Sequence, residues 1–212
     1  MLSLKKISSL DVIDTNVSRE LPFARLPESM RVEVRRLLFM LNANRPWSSM
    51  AVTSASPRAG VSSVCCMIAV ALAEAGTDVA LFDASNSHLG RTPWFDLDPE
   101  KARRMVGRPE LTVWTASSRI RVVTQTLEPT MASHALHEQA VQQIAQPGAT
   151  VLIDCPSMER SPEAFALASA TDGVLLVIES GRDRRDTVQE SVRSLEAAKI
   201  PLLGVLINKR RD

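Results

Sequence analysis

The sequence predicts an α/β fold, a doubly wound and mostly parallel sheet with helices on both faces, and three observations predict it. The stretch Ala51 to Ser85, AVTSASPRAGVSSVCCMIAVALAEAGTDVALFDAS, follows the order strand, loop, helix, strand. Downstream, short β-branched or Leu-rich runs recur at Ile120–Val123, Val151–Ile153, Val174–Ile178 and Leu202–Ile207. Each has the continuous apolar character of a parallel strand buried on both faces. Between the last two lies an amphipathic stretch, Asp183–Lys199. Strands alternating with helices in this way build a parallel sheet whose ligand crevice lies at the C-terminal ends of the strands.

Taken in order, residues 1–26 mix Ser, Asp, Lys and Pro with scattered Leu and Ile and show no clean period, so they are expected to be an extension preceding a single domain, 27–212. Pro27–Asn42 is predicted to be a helix, with Pro27 near its start and Glu28 in its first turn. Met30, Val34, Leu37, Leu38 and Leu41 share one face, and Arg31, Arg35 and Arg36 occupy the other. Ala51–Thr53 lead into a loop of turn-forming residues, Ser54–Gly60. The apolar run Val64–Ala73 then forms a helix, Gly76 stops it, and Val79–Phe82 returns as a buried strand ending on Asp83. Ser85–Pro109 carries Gly, Pro and clustered charge; a short helix is expected at Pro99–Met105, with Trp94 and Phe95 packed inside. Met131–Gln146 is expected to be helical, with His134 and His137 on its surface. In Asp183–Lys199, Val188, Val192 and Leu195 point inward and Arg184, Arg185, Glu190, Arg193 and Glu196 outward, and Pro201 ends the element.

Composition narrows the classes. At 212 residues and 45% apolar content the chain suits one domain with a substantial core. Twenty-five Lys and Arg against 24 Asp and Glu leave a formal charge of +1, too little for a bulk field that attracts nucleic acid or an anionic membrane. Cys65 and Cys66 are adjacent and Cys155 stands apart, which suits neither a zinc site nor a disulfide framework. They are expected to be small buried residues of a reducing compartment. His88, His134 and His137 make no metal-binding spacing with any acid. The longest apolar run falls well short of the ~18–20 residues that cross a bilayer. Charges also break the N-terminus too often for a signal-peptide core, so a cytoplasmic location is expected.

The chemistry concentrates in the first βαβ unit, which aims its loop at a helix N-terminus where free N–H groups and the helix dipole favour an anion. A phosphate-binding loop of the pattern G-x-x-x-x-G-K-[ST] needs glycines for the wrap, a lysine on the terminal phosphates and a hydroxyl on Mg²⁺. Here that frame holds Ala55, Gly60, Val61, Ser62 and Ser63, so the second glycine and the hydroxyls are present and Val61 stands at the lysine position. A hydrogen bond to a charged group contributes about 1.5–3 kcal/mol, and an isopropyl group supplies none of it. The guanidinium fork of Arg58 is an alternative phosphate ligand. Asp83 and Asp154 end buried strands at the crevice edge.

The loop Thr53-Ser54-Ala55-Ser56-Pro57-Arg58-Ala59-Gly60-Val61-Ser62-Ser63 resembles that of the bacterial tyrosine kinases of exopolysaccharide and capsule assembly, relatives of the ParA/MinD ATPases, whose loop reads Thr-Ser-Ala-x-Pro-Gly-Glu-Gly-Lys-Ser-Thr. The resemblance covers most of the chain. Leu81-Phe82-Asp83-Ala84-Ser85 is similar to the family's Asp-x-Asp motif with Ser85 for the second aspartate, and Val151-Leu152-Ile153-Asp154-Cys155-Pro156 to its Walker B strand. Asp172–Val177 and Gly204–Asn208 resemble its last two core strands. The departures fall on the chemistry: Arg58 for glycine, Ala59 for glutamate, Val61 for lysine and Ser85 for aspartate. The family's tyrosine-rich tail has no counterpart, since the sequence contains no tyrosine.

The resemblance implies a P-loop NTPase-like fold, with Arg58, Gly60, Ser62, Ser63 and Asn208 around a nucleotide and Asp83 and Asp154 on metal-bound water. Asp83 and Asp154 equally suit carboxylates held comfortably near helix N-termini, and Asn208 equally suits a turn. The pre-loop helix of the family carries Glu-x-x-Arg-x-x-Arg and implies ring-like self-association. Glu28-x-x-Arg31 and Glu33-x-x-Arg36 fit in part, with Val34 and Phe39 in third place, and the same helix fits a plain solvated basic face. The leading expectation is a pseudokinase without catalytic residues and with no required cofactor, residual Mg·ATP or Mg·ADP binding being left open. It would act as a regulatory or adaptor component of polysaccharide synthesis and export, held beside the inner membrane by a membrane-embedded co-polymerase or export protein. The alternatives are an active kinase or ATPase with an atypical loop and, last, a ParA/MinD-like positioning ATPase, which the absence of a lysine in the loop disfavours.

Overall fold

The computed structural model describes residues 28–85, 95, 97, 100, 102–105, 108–125, 144 and 148–209. The extension at 1–26, Trp94, the three histidines and, apart from the buried helical Ile144, the helix expected at 131–146 lie outside the described residues. Four helices and eight strands are described: α1 (Glu28–Asn44), β1 (Ser49–Ser54), α2 (Val61–Glu74), β2 (Val79–Asp83), β3 (Arg103–Met105), β4 (Arg108–Thr115), β5 (Ile120–Gln125), β6 (Thr150–Asp154), α3 (Glu163–Ser169), β7 (Val174–Glu179), α4 (Arg185–Ala197) and β8 (Leu202–Asn208). The strands form one sheet in the order β3-β4-β5-β2-β6-β1-β7-β8. From β5 to β8 every pairing is parallel, while β3 and β4 add an antiparallel margin. The fold class is the one the sequence predicts.

Alternation along β1 shows how the layers are built, since successive strand residues point to opposite faces. Val52 joins Leu38 and Leu41 of α1 and Cys65 and Ile68 of α2 on one side, with Leu152 and Leu175 from the flanking strands. Ala51 joins Leu167 of α3 and Leu195 of α4 on the other, with Ile153 and Leu176. Both faces of the central strands are therefore sealed, which is why their sequences carry no polar alternation.

Several expectations are corrected. The helix proposed over Pro99–Met105 is replaced, at Arg103–Met105, by β3, whose Arg103 registers with Val113. Its partner β4 lies outside the predicted strands; Leu111 and Val113 are buried while Thr112 and Trp114 are only half so, the period-2 pattern of a strand with one covered face. Trp114 Nε1 donates to Thr124 Oγ1 across the β4–β5 pair at 2.9 Å. β8 is not buried on both sides: it is the sheet margin, with Val205 45% and Ile207 62% exposed. In α1, Val34, Leu38 and Leu41 are buried as expected, but Met30 is exposed and Arg31 is half-buried. Phe95 is buried, as predicted.

Asp172, in the turn before β7, ties together the starts of β1 and β7. Its Oδ2 accepts from Ser48 N and Oγ at 2.8 and 3.0 Å and from Ser49 N and Oγ at 2.9 and 3.0 Å. Burial pushes its pKa up, but these hydrogen bonds to the charged form outweigh it, and the net shift is below the ordinary value of 3.8. A folded-state pKa below the unfolded one means stability that is fully present above the unfolded value and lost as pH falls through the folded value. Asp172→Ala should therefore lower the urea midpoint at pH 7, and the gap from wild type should close as the pH drops below 3.8; a gap independent of pH would refute the assignment.

Candidate functional site

The site is the loop between β1 and α2 together with the ends of β2, β6 and β8. Gly60 caps α2 at φ 93°, a left-handed conformation, and Val64 N donates to its carbonyl at 3.1 Å. A Cβ on Gly60 would lie 2.5 Å from Asn208 Nδ2, so glycine is required here twice over, by φ and by space. The rest of the loop is braced from below by the segment after β6. Thr53 Oγ1 donates to Pro156 O at 2.7 Å and Met158 N to Ser54 O at 2.9 Å, while within the loop Ser54 Oγ donates to Ser56 O at 2.7 Å. From the far end of β8, Asn208 Nδ2 donates to Ala59 O at 2.9 Å. Asn208 is thus a strand-end latch on the loop, a role neither of its predicted readings contained.

Arg58 is exposed and holds φ at 68°. A side chain in the left-handed region costs about 1–2 kcal/mol, and glycine would relieve it at an entropic cost of about 0.5–1 kcal/mol. Arg58→Gly should accordingly stabilise the protein by about 0.5–1 kcal/mol in urea titration. Destabilisation would show that the guanidinium holds the loop.

Asp83 and Asp154 are register partners on neighbouring parallel strands and are buried, at 2% and 0% exposure. Ser85 Oγ lies 3.2 Å from Asp83 Oδ1 and 3.2 Å from Asp154 Oδ2. A hydroxyl carries one proton, so it donates to one carboxylate at a time while standing between them. α2 begins close to this pair: burial pushes the Cys66 thiol up, and the charges of Asp154 and Asp83 push it further. Cys65 and Cys155 are raised by burial first and by Asp154 next, so all three thiols stay protonated and the cysteines are the buried residues the sequence predicts.

The structure thus brings Gly60 and Asn208 into contact and Asp83 and Asp154 into register, and sets Ser62 and Ser63, half-buried, in the first turn of α2. The oxygen donors suit a hard divalent cation. No group of three or more His, Cys, Asp or Glu side chains is assembled among the described residues. Val61, the first residue of α2, packs its isopropyl group against the core cluster beneath α1 and α2. The loop therefore leads through a left-handed glycine straight into α2, with an apolar side chain as the first residue of the helix.

No family model matches the sequence. A tyrosine-protein kinase of Streptococcus agalactiae, CpsD, is 25% identical over 170 residues, 76% of this chain and 74% of its own. The tyrosine-protein kinase YwqD of Bacillus subtilis is 24% identical over 198 residues, 87% of this chain and 84% of its own. The chain is a relative of the bacterial tyrosine kinases. A third relative, the succinoglycan biosynthesis transport protein ExoP of Rhizobium meliloti, is 27% identical over 176 residues, 76% of this chain but 22% of its own. Among solved structures, the kinase domain of Escherichia coli ETK superposes with a TM-score of 0.67 at 18% identity, over 97% of this chain and 86% of that one. The MinD cell division protein of Aquifex aeolicus gives 0.58 at 18% identity, over 77% and 70%. These two likenesses show the P-loop NTPase-like fold, the one the tyrosine kinases and MinD share.

Proposed function

We propose that the protein is a catalytically degenerate relative of the bacterial tyrosine kinases that serves polysaccharide synthesis and export as a regulatory or adaptor component. The observation that carries the reading is Val61: the residue at the lysine position is a half-buried apolar side chain packed against the core. Ser85 at the second acidic position and the lack of any tyrosine point the same way. The polysaccharide assignment draws on the resemblance to the tyrosine kinases and on ExoP, named for succinoglycan biosynthesis and transport.

A folded body without phosphoryl-transfer chemistry acts through its surface. No helix among the described residues is long and apolar enough to cross a membrane, so contact with the inner membrane would come through a membrane-embedded co-polymerase or export protein. The outer face of α1 is the surface proposed for this contact, and self-association of the protein through the same helix is a further outcome to test. Val32 and Phe39 are 49% and 75% exposed there, beside exposed Arg36. Arg35 is engaged with Glu74 at 3.5 Å, and Arg31 with Glu28, so Arg36 is the member of the arginine trio best placed to meet a partner. Arg36→Glu combined with Phe39→Asp should leave the melting temperature unchanged and reduce both co-purification with the co-polymerase and polymer output. Unchanged co-purification would refute the proposed surface.

The paired Asp83 and Asp154 favour a second reading, an active ATPase or kinase that uses an atypical loop with Arg58 on the phosphates. ATP turnover by the purified protein that disappears in Asp83→Ala would establish it and displace the first.

A further inference from the structure

We propose that the open edge of β8 receives an extended peptide strand from another protein, one with apolar residues at alternate positions and acidic residues at its ends. The inference is independent of the polysaccharide reading and concerns a different surface from α1. Among the described residues β8 pairs only with β7, so its other edge presents a row of backbone donors and acceptors along Leu202–Asn208. Sheet margins are ordinarily protected by charge, proline or an interrupting bulge. The sequence LLGVLIN contains neither charge nor proline, and the one irregularity of its register with β7 falls at its first residues.

Side-chain placement suits an added strand. Gly204 and Leu206 turn toward the α1 side, where Leu41 approaches Gly204 and Leu206 meets the core. Val205 and Ile207 therefore project together from the opposite face, both exposed. They form an apolar ledge for alternate residues of an incoming strand, whose backbone would take the free ladder positions.

Charge selects the occupant. Lys199 and Lys209, both exposed, bracket the strand, and Arg210 and Arg211 continue the sequence. Arg182, in the turn whose Ser180 N donates to Asn208 O at 2.9 Å, is paired with Glu179 at 3.0 Å, so Lys199 and Lys209 carry the charge. A second copy could match Val205 with Ile207 of its twin only by antiparallel pairing centred on Leu206. That register sets Lys209 of each copy beside Leu203 of the other, at the end of the strand that Lys199 precedes, so like charges converge at both ends. A strand with acidic ends meets opposite charge at both.

The test uses the full chain and three synthetic probes: a peptide of alternating valine and threonine flanked by paired glutamates, its lysine-flanked counterpart, and a glycine-serine control. The glutamate-flanked peptide should bind about five-fold or more tightly than the lysine-flanked one at low salt, the difference shrinking at high salt. Binding should slow amide exchange within 202–208, and Val205→Lys with Ile207→Lys should abolish it without lowering the melting temperature. Failure of the glutamate peptide to bind, equal binding of the lysine peptide, or protection confined to another element would overturn the proposal. So would β8 amides already protected in the monomer by the chain's own residues, or a dimer that the lysine variant dissolves, which would make a second copy the occupant.

Discussion

Val61→Lys should raise the affinity for Mg·ATP by roughly ten- to a hundredfold. The expectation rests on the loop backbone: Gly60 is left-handed at φ 93°, α2 begins at the next residue, and Asn208 holds the carbonyl of Ala59, an arrangement that would turn the first amides of α2 toward a phosphate. What is missing is a cation, and a hydrogen bond to a charged group is worth about 1.5–3 kcal/mol, which at about 1.4 kcal/mol per tenfold gives the stated range. The substitution has a cost, because Val61 contributes to the core contact beneath α1 and α2. A lysine stem can cover the same apolar surface while its ammonium reaches outward, so the loss of stability should stay near 1 kcal/mol or below. Titration calorimetry of wild type, Val61→Lys and a Val61→Leu control checks the expectation. The leucine variant should bind as weakly as wild type, and a lysine variant that binds no better would mean that the loop is no longer a phosphate site even in its backbone.

The fold was legible where burial on both faces writes itself into the sequence. β1, β2, β6 and β7 sit between two helical layers, and their continuous apolar runs say so without reference to neighbours. β8 has the same kind of run yet lies at the margin, because an apolar strand carries no local mark of whether a further strand or a helix will cover it. β3 is not legible, because Arg103-Arg104-Met105 is short and charged and is a strand only through its pairing with β4. At the site the same division holds. Gly60 could be read as a glycine the turn requires, and Asp83 and Asp154 as strand-terminal acids. The bridging place of Ser85 depends on a residue 69 positions away, and the Asn208 latch on one 149 positions away. Such contacts are set by strand order, which no window of sequence contains.

Phe82→Ala should cost about 3–5 kcal/mol, the largest loss expected of any single change named here. Phe82 is fully buried on β2, in register with Val123 of β5 and Ile153 of β6, and it belongs to the core cluster that includes Leu111, Ile144 and Leu167. Removing the ring leaves a cavity among strands that cannot close on it, since each is hydrogen-bonded to its neighbours. For a chain of 212 residues a loss of this size lowers the melting temperature by roughly 6–20 °C. The cavity opens on the α3–α4 side of the sheet, whereas Asp83, the next residue, points to the other side, where its charge raises the thiol of Cys66 on α2. Stability and site should therefore separate. In the Val61→Lys background, adding Phe82→Ala should lower the urea midpoint sharply and leave the Mg·ATP affinity of the folded protein within about twofold. If the affinity falls together with the stability, the two faces of β2 are coupled and the loop does not stand on a rigid sheet. If the loss of unfolding free energy is less than about 1 kcal/mol, the helical layer beneath β2 is not sealed.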